Sequence, residues 1–216
     1  MSKTTLLTIT NLDVFQSDSP LIKGFNLELS EGECIGISAP TGSGKTTLFN
    51  YISGTLPEET PDFQPVLKLT GQMTLAPDCR ICRVFQEPRL IPSISILKNI
   101  MLPLENLLSK EQAQQTAALW LEKLNLKHKE NVTASVLSGG EKQRAAIARA
   151  FAYSQAQNNN FCLFLLDEPF ASQDKQNSDN IKALIQAQCR SGHCAFIVIS
   201  HDSPYLEQFC NRVISL

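Results

Sequence analysis

The sequence predicts an α/β fold, and three observations carry that expectation. A strand, a glycine-rich loop and a helix follow one another from Glu33 to Ser53, the order in which a phosphate-binding loop is built. Two short apolar runs, Phe161–Leu166 and Ala195–Ser200, have the length of strands buried on both faces, as parallel strands are. Helix-forming segments at Glu111–Leu126 and Glu141–Ala152 lie between the loop and those runs. A chain of 216 residues buries one sizeable core, so residues 1–216 are expected to form a single domain with at most a small subdomain.

Taken in order, Thr4–Ile9, Leu27–Leu29 and Glu33–Ser38 are β-rich or alternating, with Glu31-Gly32 as a turn between the last two. Phe25 reads as core beside Leu27–Leu29. Thr46–Ser53 reads as a helix that Gly54 stops. Pro57 to Pro65, rich in proline and acid, reads as loop. Val66–Leu75 and Ile81–Phe85 read as strands, the second followed at once by Gln86. Pro88 and Pro92 bracket the next stretch, and a helical segment begins near Ile96. Glu111–Leu126 sets leucines among polar residues, as a helix packed on a core does. Glu141–Ala152, rich in alanine and arginine, opens as a helix directly after Gly139-Gly140. Gln155–Asn160 is a polar loop, and Val213–Leu216 is a last short strand.

Composition narrows the class. Apolar residues make up 43% and charged ones 19%, an ordinary soluble balance. A net charge of −2 gives no electrostatic basis for binding nucleic acid or an anionic membrane. No apolar run approaches the roughly 20 residues that span a bilayer. The start, Met1–Thr5, lacks the apolar stretch of a secretory signal, so a cytoplasmic protein is expected. Seven cysteines, an odd number, argue against a disulfide framework. Cys79-Arg80-Ile81-Cys82 has no second pair at zinc-finger spacing, so the cysteines read as free, mostly structural thiols. His128 and His193 stand outside any motif.

The chemistry concentrates in two segments. In Ala39-Pro40-Thr41-Gly42-Ser43-Gly44-Lys45-Thr46, followed by Thr47, the glycines let consecutive N–H groups point at phosphate oxygens. The helix that follows adds its dipole. Lys45 supplies a charge for the β- and γ-phosphates, and the Thr46 hydroxyl can ligate Mg²⁺. Ala39 replaces the motif's first glycine, which costs little if that position is extended. In the second segment, Asp167-Glu168 places two carboxylates at the C-terminal end of a buried strand, where ligands sit in open α/β sheets. Buried charge there needs a partner, and a Mg²⁺–nucleotide complex supplies one.

Leu137-Ser138-Gly139-Gly140-Glu141-Lys142-Gln143-Arg144, lying between those segments, completes an order of motifs that resembles the ATP-binding cassette (ABC) ATPases. The resemblance runs from Phe15 to His201, nearly the whole chain. It implies a RecA-like core with an N-terminal antiparallel β region and a helical signature subdomain at roughly 87–150. It implies that Asp167 helps hold Mg²⁺ through water and that Glu168 is the general base. Gln86 matches the glutamine that ligates Mg²⁺ or orients water, and His201, ending Phe196–Ser200, matches the switch histidine that contacts the γ-phosphate. Phe15 lies where the family places an aromatic that stacks on adenine. Ser138, Gly139, Gly140 and Glu141 correspond to the motif that closes over ATP held by a second cassette. Ala171-Ser172-Gln173-Asp174 stands where the family usually carries Ser-Ala-Leu-Asp, with Asp174 retained and Gln173 departing.

Three function classes follow from the resemblance: an importer ATPase, the ATPase of an exporter or lipid-extruding complex, and a soluble ABC protein. Only about ninety residues separate Lys45 from Ser138, too few for the coiled coil of the DNA-repair type. The ribosomal type fuses two cassettes, and fused exporters carry membrane helices in the same chain. Gln86–Pro92 with Leu97–Ile100 resembles the nitrate, sulfonate and taurine importer ATPases. The expected partners are a second cassette (a homodimer or a paralogue), transmembrane permease subunits and an extracytoplasmic solute-binding protein, with no nucleic acid. The chain would then sit peripherally on the inner face of the membrane. Because it ends soon after His201, no regulatory C-terminal extension is expected.

Overall fold

The computed structural model describes residues 3–16, 19–40, 42–56, 67–157 and 160–216. The expected Pro57–Pro65 loop, Val66 and Thr41 lie outside them. Two sheets organise the chain. An antiparallel sheet of order β2-β1-β4 comprises β1 (Thr5–Gln16), β2 (Ser19–Ser30) and β4 (Leu67–Leu75). A parallel sheet of order β5-β6-β7-β3-β8 comprises β3 (Cys34–Ser38), β5 (Cys79–Val84), β6 (Phe161–Asp167), β7 (Cys194–Ile199) and β8 (Arg212–Ser215). The first two strands run longer than sequence patterning marks, because irregularities in their pairing around Asn11 and Asp13 break the apolar alternation.

The central strands divide their side chains between two cores. Ile35 and Ile37 of β3, Leu163 and Leu165 of β6, and Ile197 and Ile199 of β7 face the antiparallel sheet and helix α1 (Lys45–Ile52). Their alternates Cys162, Phe164, Leu166, Phe196 and Val198 face the remaining helices. Those are α2 (Ile96–Met101), α3 (Lys110–Lys123), α4 (Gly139–Ala156), α5 (Lys175–Ser191) and α6 (Ser203–Glu207). Both faces being covered explains why β6 and β7 read as unbroken apolar runs.

Trp120 of α3 stacks on Phe151 of α4 at 4.9 Å, Phe151 meets Phe164 at 5.1 Å, and Phe164 stacks on Phe196 at 4.5 Å. This aromatic file ties the helical layer to the sheet. Helix starts are set by local chemistry. The Ser109 and Ser138 hydroxyls each accept from the N–H three residues on, while Gln112 and Glu141 return the bond. All seven cysteines are free thiols, five of them buried. Among the described residues no helix is long and apolar enough to cross a membrane.

Candidate nucleotide site

Because β3, β5, β6 and β7 are parallel, the segments leaving their C-terminal ends converge on one edge of the sheet. There a cleft of about 290 Å³ is lined by Gly42, Gly44, Lys45, Thr46 and Thr47, together with Gln86, Asp167, Glu168 and His201. Four separate sequence segments thus meet in one place. Gln16 and Leu21 also line it, and sequence reasoning named neither. Phe15 is half-buried in β1 beside them and does not line the cleft. A strand's side chains alternate, so Gln16 and Phe15 point to opposite faces.

Gly42 (φ 84°) and Gly44 (φ 90°) occupy the left-handed region that residues with a Cβ avoid, which gives the loop its turn into α1. Ala39 does not adopt a positive φ, so its methyl group is no backbone strain. It is 6% exposed, and its carbonyl accepts from Lys45 Nζ at 2.5 Å. Ala39→Gly is therefore expected to change ATP affinity by less than about fivefold, roughly 1 kcal/mol. Equilibrium titration with a fluorescent nucleotide checks this, and a much larger gain would mean that the alanine compromises the loop.

Lys45 Nζ lies 3.4 Å from His201 Nδ1, and His201 Nε2 lies 3.1 Å from Glu168 Oε1. The Glu168 Oε1 atom is buried without a hydrogen-bond partner among the described residues, so the approach of His201 Nε2 is a close contact and not a formed hydrogen bond. Glu168 itself has φ 47°, an uncommon conformation for a residue with a side chain. Its N–H donates to the Ile199 carbonyl at 3.0 Å, and its carbonyl accepts from Ala171 N at 3.1 Å. These bonds hold the turn that aims the carboxylate into the cleft.

Burial pushes the Asp167 carboxyl above the ordinary carboxylate range, opposed by the charges of Arg83, Lys45 and His201. Burial likewise raises Glu168, again opposed by His201 and Lys45. A raised native pKa means that the folded protein holds more protons than the unfolded chain between the unfolded and folded values. Stability therefore falls as pH rises through that window. Asp167→Asn is expected to raise the unfolding midpoint of the protein in EDTA at pH 7–8, with the gain shrinking as pH drops below the carboxylate range. Thermal unfolding at several pH values would show no gain if Asp167 were not strained by burial.

Two side chains of α4, Gln143 and Arg149, tether the segment that follows β5. Gln143, 3% exposed, donates from Nε2 to the Phe85 carbonyl at 3.3 Å, directly before Gln86. Farther along α4, Arg149 donates to the Arg89 and Pro88 carbonyls at 3.0 and 3.1 Å. Both tethers escaped sequence reasoning, since backbone acceptors leave no pattern in side-chain identity. Ser138 and Gly139 are exposed at the start of α4 and do not line the cleft, and neither do Gly140 and Glu141. Glu141 caps the helix and pairs with Lys129, and those bonds hold its carboxyl below the usual range.

The donors in the cleft suit a Mg²⁺–nucleotide. The Thr46 hydroxyl, the Gln86 amide oxygen and the Asp167 carboxylate are hard oxygen ligands, and the buried carboxylates call for positive charge. No group of three or more His, Cys, Asp or Glu is placed to hold a metal among the described residues. Such an ion would therefore lean on nucleotide phosphates and water, as Mg²⁺ commonly does.

A glycine-rich phosphate loop and an Asp-Glu pair meeting at the C-terminal edge of a parallel sheet define a P-loop nucleotide-binding class of protein. The ABC transporter family model matches residues 22–171, and the chain belongs to that family of ATPases. It is 31% identical to a protein named as a hemin import ATP-binding protein, HrtA, of Staphylococcus saprophyticus over 93% of this chain and 90% of that one. It is 32% identical to a lipoprotein-releasing system ATP-binding protein, LolD, of Saccharophagus degradans over 84% of this chain and 80% of that one. It is 34% identical to an aliphatic sulfonates import ATP-binding protein, SsuB 3, of Rhodococcus jostii over 92% and 66%. Among solved structures, the dimeric ABC transporter cassette MJ0796 matches with a TM-score of 0.77 and 26% identity, covering 98% of this chain and 94% of that one. The same cassette has also been captured bound to ADP and Pi after hydrolysis.

Proposed function

We propose that this chain hydrolyses Mg-ATP as one of a pair of cassettes and thereby powers uptake through a separate membrane permease. One observation carries the paired site. The cleft gathers Lys45, Thr46, Gln86, Asp167, Glu168 and His201, yet Ser138 and Gly139 stand exposed outside it. A second cassette, a copy of this chain or a paralogue, would lay its own Ser138–Glu141 over the γ-phosphate bound here. Uptake is favoured by the importer-like Gln86–Pro92 segment and by relatives named for import. The lipoprotein-releasing relative supports the opposite direction. In this reading the chain sits in the cytoplasm against the inner face of the membrane, and a solute-binding protein delivers cargo from outside. The cassette works as a single unit, with its helical part at roughly 87–150.

The chemistry is positioning and charge neutralisation. Backbone N–H groups at Gly42–Thr47 and the Lys45 ammonium bind the β- and γ-phosphates. Bound Mg²⁺ would neutralise charge on the phosphate oxygens, with Thr46, Gln86 and Asp167 as its protein side. The Glu168 carboxylate takes the proton of the attacking water, and His201 Nε2 orients that carboxylate and reaches toward the γ-phosphate. Phe15, the aromatic expected to stack on adenine, lies off the cleft on the opposite face of β1 from Gln16, so it takes no part in this reading of the site.

The decisive experiment asks whether the cap acts in trans. A Cβ at residue 139 meets only Ser172 Oγ at 3.9 Å, so Gly139→Asp is compatible with the folded chain. It sets a negative charge where the partner's phosphate must sit. In a Glu168→Gln background with Mg-ATP, light scattering should report dimers, and adding Gly139→Asp should abolish them while the monomer still binds ATP. Unchanged pairing would remove the composite site from this account.

A further inference from the structure

Gln173 belongs to no element of the nucleotide cleft, yet it makes the contact that joins the catalytic loop to the exposed cap of the same chain. Its Nε2 donates to the Gly140 carbonyl at 2.9 Å, and its Oε1 accepts from Arg144 NH1 at 2.7 Å. One amide thus engages the N-terminal half of α4 twice, through the Gly140 carbonyl of its first turn and the Arg144 side chain of its second. The approach beneath it is tight. A Cβ on Gly140 would overlap the Ser172 carbonyl oxygen, and Ser172 is held at φ 60°. The Gln173 N–H also donates to the Phe170 carbonyl at 3.2 Å, in the turn that leaves Glu168. A continuous set of bonds therefore runs from the turn after Glu168 to the start of α4.

We infer that Gln173 is a positioning residue that sets the pose of Ser138 and Gly139 relative to Glu168, so that the surface a chain presents to a partner's nucleotide is fixed by its own catalytic loop. This rests on the paired-site reading above. Alternatives are less well supported by the contacts. Leucine, usual in the family at this place, can fill the space but neither donates to Gly140 nor accepts from Arg144. Arg144 is half-buried, its Nε has no partner, and its only side-chain hydrogen bond among the described residues is the one to Gln173. Without the amide the guanidinium would be left short of acceptors, which a buried charge tolerates poorly.

Two near-isosteric variants test the inference. Gln173→Glu keeps an acceptor for Arg144 but turns the donor facing the Gly140 carbonyl into a second acceptor. Gln173→Met keeps the length and removes both bonds. In the Glu168→Gln background, each should weaken Mg-ATP-driven pairing by about fivefold or more, while ATP affinity of the monomer stays within about twofold. In otherwise wild-type protein, half-maximal ATPase activity should move to higher chain concentration by a similar factor, with turnover at saturating protein largely kept. A general folding defect would instead lower saturating turnover and monomer binding together, and would overturn the inference. So would unchanged pairing in both variants. Gly139→Asp run alongside separates the two readings. If it abolishes pairing while both Gln173 variants pair normally, the positioning role fails and the composite site stands. If it pairs normally, the composite site itself fails.

Discussion

Replacing Glu168 with glutamine is expected to leave ATP binding within about twofold and to slow hydrolysis by ~10²-fold or more, the range for losing a positioned base. The amide keeps the shape of the side chain and its close approach to His201 Nε2, which lies 3.1 Å from Oε1 in the parent. The backbone at φ 47° depends on bonds from the main chain, so the substitution leaves that turn in place. Only the ability to take a proton is lost. Binding and single-turnover hydrolysis measured separately check this. A turnover within about threefold of the parent would move the base elsewhere, and Asp167, also in the cleft, would be the next candidate.

The largest expected effect on stability is that of Phe151→Ala. Phe151 is 1% exposed and stands at the centre of the aromatic file, touching Trp120, Phe164 and Phe196. Truncating a buried phenylalanine costs about 3–5 kcal/mol, from lost transfer energy and the cavity left behind. That is a large share of the roughly 5–15 kcal/mol that stabilises a typical protein. If the helical part and the sheet fold as one unit, the midpoint should fall while unfolding stays a single transition. Denaturant unfolding followed by tryptophan fluorescence and by circular dichroism checks this, since Trp120 reports the helical side. Two separated transitions would show that the subdomain melts on its own.

Much of this site is legible in sequence because its parts are contiguous. The phosphate loop, Asp167-Glu168 and His201 each sit at the end of an apolar strand, and parallel strands bring their C-terminal ends together. What escaped depends on pairing between distant segments. Helix α5 is legible as well, since Ile181, Leu184 and Ile185 recur at helical spacing, Asp174 caps its start and Gly192 (φ 80°) ends it, but it carries no motif that draws attention to it. Helix α6 has five residues, with Asp202 as its cap, and leaves little pattern. The full length of β1 and β2 escaped because Asn11 and Asp13 interrupt the alternation at register shifts in their pairing. Leu21 enters the cleft from β2, a position fixed by strand pairing that no motif announces.

The grip of α4 on the segment after β5 has a further meaning for how such proteins diversify. Gln143 and Arg149 grasp the carbonyl oxygens of Phe85, Pro88 and Arg89, atoms that every amino acid possesses. An anchor of that kind is blind to spelling. Exposed Glu87, which lies between the gripped carbonyls, can be exchanged without loosening the hold, whereas Leu90 packs against the core and is not free in the same way.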